Sequence, residues 1–181
     1  TMRVEARMKA AGLETRMDAA GNLIGRRAGT KPGLGTIMVG SHSDTVPDGG
    51  RFDGIAGTIT ALEVARSLAD QNIQLDHDLE IIDFLAEEVS IFGVSCIGSR
   101  GMTGQIPEAW LARAKGDRTL ADGIAEVGGD PATLLSQSRP DLKGFLELHI
   151  EQGPILENER KDVGIVTAIA GITRIEITVE G

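Results

Sequence analysis

The run Gly40-Ser41-His42-Ser43-Asp44-Thr45-Val46-Pro47, followed by Arg51-Phe52-Asp53-Gly54, sets one imidazole and two carboxylates close together where an apolar stretch gives way to glycines. Glu87-Glu88 closes a second apolar stretch, and His149 sits in Leu146-Glu147-Leu148-His149-Ile150-Glu151-Gln152-Gly153. Imidazole and carboxylate together suit zinc, manganese and similar divalent ions. Several such ligands with a glutamate to spare are what a two-metal hydrolase needs, carboxylates to bridge and a free base to move protons. The set as a whole makes a metallohydrolase the leading reading.

Each piece alone leaves alternatives open. A single His-x-Asp is also a common structural or surface feature. Paired glutamates often begin a solvated helix, although Glu87-Glu88 follows an apolar strand. His149, flanked by Glu147 and Glu151, is equally compatible with the wet side of a sheet. His77, in Leu75-Asp76-His77-Asp78, reads as a surface turn. The glycine pairs Gly49-Gly50 and Gly128-Gly129 make no phosphate loop, because neither GxxxxGK[ST] nor a strand-linked GxGxxG is present.

The elements that must position these residues can be traced along the chain. Residues 2–11 read as a short amphipathic helix stopped by Gly12. Asp18 to Asn22 is turn chemistry leading into a strand over Leu23–Arg26. Thr36–Gly40 reads as a brief buried strand. Ile55, Ile59, Leu62, Ala65 and Leu68 recur at helical spacing through about Gln71. Leu79–Ala86 is nearly continuous apolar sequence and reads as a central strand, with Asp83 its unexplained charge. Strand, helix, strand with short joints implies a βαβ unit and an α/β sheet. Helices are expected near Pro107–Ala114, Leu120–Val127 and Pro131–Ser136, the last opened by Asp130-Pro131. Strands are expected at Phe145–Glu151 and Val163–Ala168. Over Ile172–Glu180, apolar Ile175, Ile177 and Val179 alternate with polar residues, the pattern of an antiparallel strand wet on one face. The change in strand character suggests a domain boundary near Ala170-Gly171.

Ligands of open α/β sheets collect beyond the carboxyl ends of the strands. His42 and Glu87-Glu88 each follow a strand there, and Asp53 opens the long helix on a glycine-flanked loop. In extended chain His42 and Asp44 point the same way, so Asp44 can accept the second ring N–H of a metal-binding His42. Glu87 and Glu88 point to opposite sides, which suits two separate tasks.

Composition excludes other classes. The 181 residues suit about one domain. The formal net charge of −9 and the lack of a Lys/Arg-rich run leave no electrostatic footprint for nucleic acid. Aromatic residues at 3% with no tyrosine argue against base-stacking platforms. No apolar run nears the roughly 20 residues that span a bilayer, and no signal-peptide pattern is evident. A lone cysteine, Cys96, excludes an internal disulfide and fits a reducing, cytoplasmic setting. Its apolar neighbours suggest an inert packed thiol.

Taken together, GSHSDTVPDGGRFDG, FLAEEVSIFG, GSRGMTG and FLELHIEQGPILE resemble the hydantoinase/carbamoylase family of binuclear metal amidohydrolases. That family includes N-carbamoyl-L-amino acid hydrolases and allantoate amidohydrolases and is akin to zinc aminoacylases and carboxypeptidases. The resemblance runs over nearly the whole chain. It implies a three-layer mixed α/β sheet with helices on both faces, residues 1–170 being a partial catalytic domain and 171–181 the first strand of an α+β lid and dimerisation domain. It implies His42 and His149 on one metal, Asp53 bridging, Glu88 on the second, Glu87 as general base, Asp44 orienting His42, and Gln152 near substrate. Two divalent ions are implied, zinc or manganese, with cobalt or nickel possible.

The same resemblance implies hydrolysis of a ureido C–N bond in an N-carbamoyl-L-amino acid, giving amino acid, carbon dioxide and ammonia. Allantoate is the nearest competing substrate. A metal-dependent aminopeptidase and an inactive metal-binding or interaction fragment are the other readings. A homodimer is expected at full length, with no nucleic-acid or membrane partner. Family members are about twice this long, so the chain is expected to lack the last metal histidine and the lid groups, and to turn over negligibly by itself. Its apolar stripe at 172–181 is expected to pack poorly or to pair with another chain.

Overall fold

Val4 and Met8 lie one helical turn apart and are both buried, which turns the first helix, α1 (Met2–Ala10), onto the core. The computed structural model describes residues 2–169, 171, 175 and 177–179. After α1 come β1 (Glu14–Met17), β2 (Leu23–Arg27), β3 (Thr36–His42), α2 (Ile55–Asp70) and β4 (Asp78–Phe84). Short pieces follow: α3 (Ile97–Met102), α4 (Glu108–Leu111), β5 (Ala114–Lys115), β6 (Arg118–Thr119), α5 (Leu120–Glu126) and α6 (Pro131–Leu134). Last come β7 (Leu142–Leu146) and α7 (Ile155–Glu159). The chain divides into two compact units, Thr1–Ile150 and Glu151–Gly181.

The larger unit is built on a five-stranded sheet in the order β1-β2-β4-β3-β7. β3 runs parallel to both β4 and β7, whereas β2 is antiparallel to β1 and β4. The sheet is therefore mixed, with helices on both faces. On one face Leu23, Leu79 and Ile81 pack with Val4 and Met8 of α1 and with Ala61, Leu62 and Ala65 of α2. On the other, Ile24, Met38 and Ile82 pack with Met102 of α3. A third cluster joins Val94, Ile97, Ile106, Leu120, Ile124 and Leu134. Cover on both faces is why β4 reads as continuous apolar sequence.

Several expectations change in detail. β1 went unforeseen because Glu-Thr-Arg-Met carries no apolar alternation. Asp18 to Asn22 is in fact the turn of a β1–β2 hairpin, with Asp18 accepting from the N–H groups of Ala20 and Asn22. The helix expected at Pro107–Ala114 stops at Leu111, because Ala114–Lys115 pairs with Arg118–Thr119 around Gly116 at φ 66°. α3 and α7 were also unforeseen. The strand expected at Phe145–Glu151 begins and ends earlier, since pairing with β3 starts at Leu142 and stops at Leu146.

In the second unit, Glu151 accepts from the backbone N–H groups of Ile155 and Leu156 and so caps α7. Residues 163–168 form no strand. A strand needs a hydrogen-bonding neighbour, and none exists among the described residues of this unit. Of the strand expected over 172–180, the described residues 175 and 177–179 form none, while 172–174, 176 and 180, like Ala170 of the expected boundary, lie outside the described residues.

One polar network crosses the apolar sheet. Glu80 of β4 is buried between Arg16, whose Nη2 is 3.1 Å away, and Arg139, whose Nη2 is 2.9 Å away. Arg139 also holds Asp141 at 2.7 Å, and Asp141 accepts from the Thr36 hydroxyl at 2.9 Å. This chain of contacts ties β1, β4 and the entry of β7 to the start of β3. Arg139→Met should cost toward the lower end of the ~3–5 kcal/mol that follows breaking a buried pair, because Arg16 still faces Glu80; urea denaturation measures it. The Arg139 guanidinium, against the opposing effect of burial, holds the Asp141 carboxyl well below the usual carboxylate range. A carboxyl depressed in the folded state adds stability that is present above its unfolded pKa of about 3.9 and lost as pH falls. Asp141→Asn should therefore flatten the acid-side fall of Tm between about pH 5 and pH 2, a change visible in thermal scans across that range.

Candidate metal centre

The parallel strands β3 and β4 end side by side, with His42 opposite Phe84. His42 is the last residue of β3 and only 2% exposed. Asp53 comes from the loop before α2 and is buried, where the positive end of a long helix favours a carboxylate. His149 arrives from the segment after β7. Its Nε2 lies 3.1 Å from Asp53 Oδ1, and His42 Nε2 lies 3.9 Å from the same oxygen. The two rings are nearly parallel, their centroids 5.8 Å apart. One ligand atom from each of His42, Asp53 and His149 lies within 4.8 Å of the others.

Gly54 makes this closeness possible. Its φ is 61°, and a Cβ there would overlap the His42 ring. On the far side of α2's first turn, the buried Thr58 hydroxyl donates to the His42 carbonyl at 3.1 Å. These contacts clamp the backbone that carries His42 to the helix that carries Asp53.

Asp44 works mainly through geometry one step removed. The backbone carbonyl of Asp44 is 2.9 Å from His42 Nδ1, closer than its carboxylate at 3.4 Å. The carboxylate instead accepts from the backbone N–H of Glu87 at 3.3 Å and of Glu88 at 3.1 Å. Asp44 thus joins the β3 exit to the β4 exit. Its carboxylate, opposed by burial, raises the His42 pKa to about 9. Burial in turn opposes ionisation of Asp44, yet the His42 ring and the two amides outweigh it and draw its pKa down.

Glu87 and Glu88 differ in their distance from the cluster, and the chain that carries them is not extended, since Ala86 is left-handed at φ 45°. Glu87 Oε2 is 3.7 Å from His42 Nε2, beside the cluster. Glu88 belongs to no group of three ligands at the spacing of that cluster among the described residues. Its pKa is raised, first by burial and then by the charges of Glu87 and Asp53. Gln152, next to the start of the second unit at Glu151, has a left-handed backbone, φ 57°.

The strand exit holding the two glutamates is pinned on its other side. The N–H groups of Cys96, Ile97 and Gly98 donate to the carbonyls of Glu87, Ala86 and Leu85. Ala86 and Cys96 pay for this with left-handed φ values of 45° and 53°, each costing about 1–3 kcal/mol. Fully buried Asn22 completes the clamp, accepting from Leu85 N–H at 2.9 Å and donating to the Gly98 carbonyl at 3.0 Å.

Sequence reasoning missed some of these contacts. Cys96 is half-buried rather than sealed in the core, with its thiol 3.7 Å from Glu87 Oε1 and donating to it. Burial, then the neighbouring Glu87 charge, pushes the thiol pKa up, so it stays protonated. Asp83 accepts from the Ser43 hydroxyl at 2.9 Å, and burial raises its pKa. No motif in the sequence signals either contact.

Comparison with known proteins bears on this geometry. The family described as Peptidase family M20/M25/M40 matches residues 38–181. The chain is 41% identical over 180 residues to an N-carbamoyl-L-amino-acid amidohydrolase of Paenarthrobacter aurescens, covering 97% of this chain and 44% of that protein. It is 39% identical over 180 residues to an allantoate amidohydrolase of Bacillus subtilis (strain 168), covering 98% and 44%. The crystal structure of a hydantoinase/carbamoylase family amidase from Burkholderia multivorans superposes with a TM-score of 0.76 at 37% identity, over 87% of this chain and 38% of that one. The chain thus spans under half the length of these relatives.

Gly54→Ala tests the clamp. It forces a left-handed alanine and drives a methyl into the His42 ring, so it should destabilise the chain by about 1–3 kcal/mol in urea denaturation. The His42 ring resonances should move with it.

Proposed function

The chain belongs to peptidase family M20/M25/M40, and on that footing we propose that it carries most of the metal centre of an amidohydrolase acting on N-carbamoyl-L-amino acids. The supporting observation is the convergence of His42 Nε2 and His149 Nε2 on Asp53 Oδ1. The donor set fits a divalent ion. Two imidazole nitrogens and one carboxylate oxygen share a small volume, and the Asp44 carbonyl, accepting from His42 Nδ1–H, leaves Nε2 as the ring nitrogen that would give up its proton to take an ion. In this reading His42 and His149 would hold one ion and Glu88 a second, with Asp53 shared between them. Zinc or manganese suits the set, with cobalt or nickel as substitutes.

When bound, such ions lower the pKa of water and polarise a carbonyl. The chain's own residues supply the proton traffic. Glu87, beside the cluster, accepts a proton from the attacking water and returns it to the leaving nitrogen. Its carboxylate is steadied by the Cys96 thiol on one oxygen, with His42 Nε2 near the other. Water adds to the ureido carbon, the C–N bond breaks, and the carbamate collapses, so that amino acid, carbon dioxide and ammonia balance one water and one substrate. Gln152 is assigned to the substrate by the family resemblance. Residues 1–170 are assigned to part of the catalytic domain and 171–181 to the first strand of a lid and dimerisation domain, in a protein that would be a cytoplasmic homodimer at full length.

Allantoate is the second reading, favoured by the similarity to the Bacillus subtilis protein. Ammonia release by a full-length protein carrying this sequence separates the possibilities, with an N-carbamoyl-L-amino acid, allantoate and a dipeptide as substrates. Glu87→Gln should lower kcat about 10²–10⁴-fold, and chelation should abolish turnover until a divalent ion is restored. Equal activity with and without Glu87 would refute the assignment. Cleavage of the dipeptide alone would point to an aminopeptidase.

A further inference from the structure

Pairing between β3 and β7 ends at Val39 and Leu146. Residues 147–150 belong to no strand, yet His149 reaches Asp53 at 3.1 Å. Ladder hydrogen bonds therefore do not set the position of this imidazole.

Besides the contacts of the His149 ring itself with Asp53 and His42, two others hold the segment. Ser41 has no solvent exposure, and its hydroxyl donates to Glu147 Oε1 at 2.5 Å. The Leu148 carbonyl oxygen lies against Gly57 in the first turn of α2, where a Cβ would overlap both that oxygen and the Ser41 side chain. Ser41 is bonded directly to His42, and Glu147 stands two residues before His149. The hydrogen bond thus links the backbones bearing the two imidazoles at a point where main-chain pairing has stopped. A buried hydroxyl donating to a carboxylate makes a short, strong bond, and the bare surface of Gly57 sets how closely the segment can approach.

We propose that the Ser41–Glu147 hydrogen bond is the strut that places His149 for metal binding, with Glu147 a positioning residue that needs its acceptor oxygen rather than its charge. This rests on the metal-centre reading above. It goes further by naming what holds one ligand in place.

Cobalt(II) binding tests it, read by chelator competition and by the visible absorption of the bound ion. The proteins are the 181-residue chain, Ser41→Ala, Glu147→Ala, the double variant and Glu147→Gln. Each alanine variant should lose about 10–100-fold in affinity and show an altered absorption band. The double variant should be no worse than the weaker single, because both remove one bond. Glu147→Gln keeps an acceptor and should bind nearly as the parent does. Thermal unfolding of the metal-free proteins should stay within a few degrees of the parent, separating placement of His149 from loss of fold. Unchanged affinity in both alanine variants, multiplied losses in the double, or a glutamine variant as weak as the alanine would each overturn the strut. A parent chain that binds no cobalt would overturn the metal-centre reading, and the strut with it.

Discussion

Parallel pairing of β3 with both β4 and β7 is the constraint on which the rest of the structure depends. Parallel neighbours finish at the same edge of a sheet, so three separate stretches of chain deliver their next residues to one place. His42 ends β3, Glu87 and Glu88 follow β4, and His149 follows β7. The α2 helix that makes the β3–β4 crossover brings Asp53 at its own start to the same edge. With the antiparallel pair β1-β2 on one side, β4 and β3 lie inside the sheet and are covered on both faces, whereas β7 forms the other edge and is largely exposed.

That edge is costly to build. Carboxylates gathered there repel one another and lose water, and the upward shift of the Glu88 pKa records it. The structure offsets this with oriented donors. Two backbone amides face Asp44, a thiol faces Glu87, and a hydroxyl faces Asp83. Left-handed backbone at Ala86 and Cys96 adds strain beside the proposed base. Such strain persists only where neighbouring contacts over-determine it, which the Asn22 clamp and the 96–98 ladder do. Rigidity is thereby concentrated around Glu87, the proposed base.

The opposite edge of the sheet handles charge differently. Glu80 lies inside the molecule with a guanidinium on either side, and Arg139 extends the network through Asp141 to Thr36. The network fixes where β7 begins relative to β3. Its register in turn determines how many residues separate the end of the ladder from His149.

Much of this was legible in the residues themselves. Apolar periodicity identified α2, and unbroken apolar runs identified β3 and β4, because burial on both faces leaves a pattern that needs no knowledge of partners. His42, Asp53, Glu87, Glu88 and His149 stood out through side-chain chemistry beside strand ends and glycines. What the sequence by itself could not determine were the features that depend on a partner distant in the chain. β1 is a strand because β2 is beside it, and 163–168 is none because nothing pairs with it among the described residues of its unit. The Asp44 carbonyl that joins its carboxylate at His42, the thiol at Glu87 and the Ser41–Glu147 bond all depend on where folded backbones meet. Periodicity records which face of a segment is buried, but only tertiary structure decides what it is buried against.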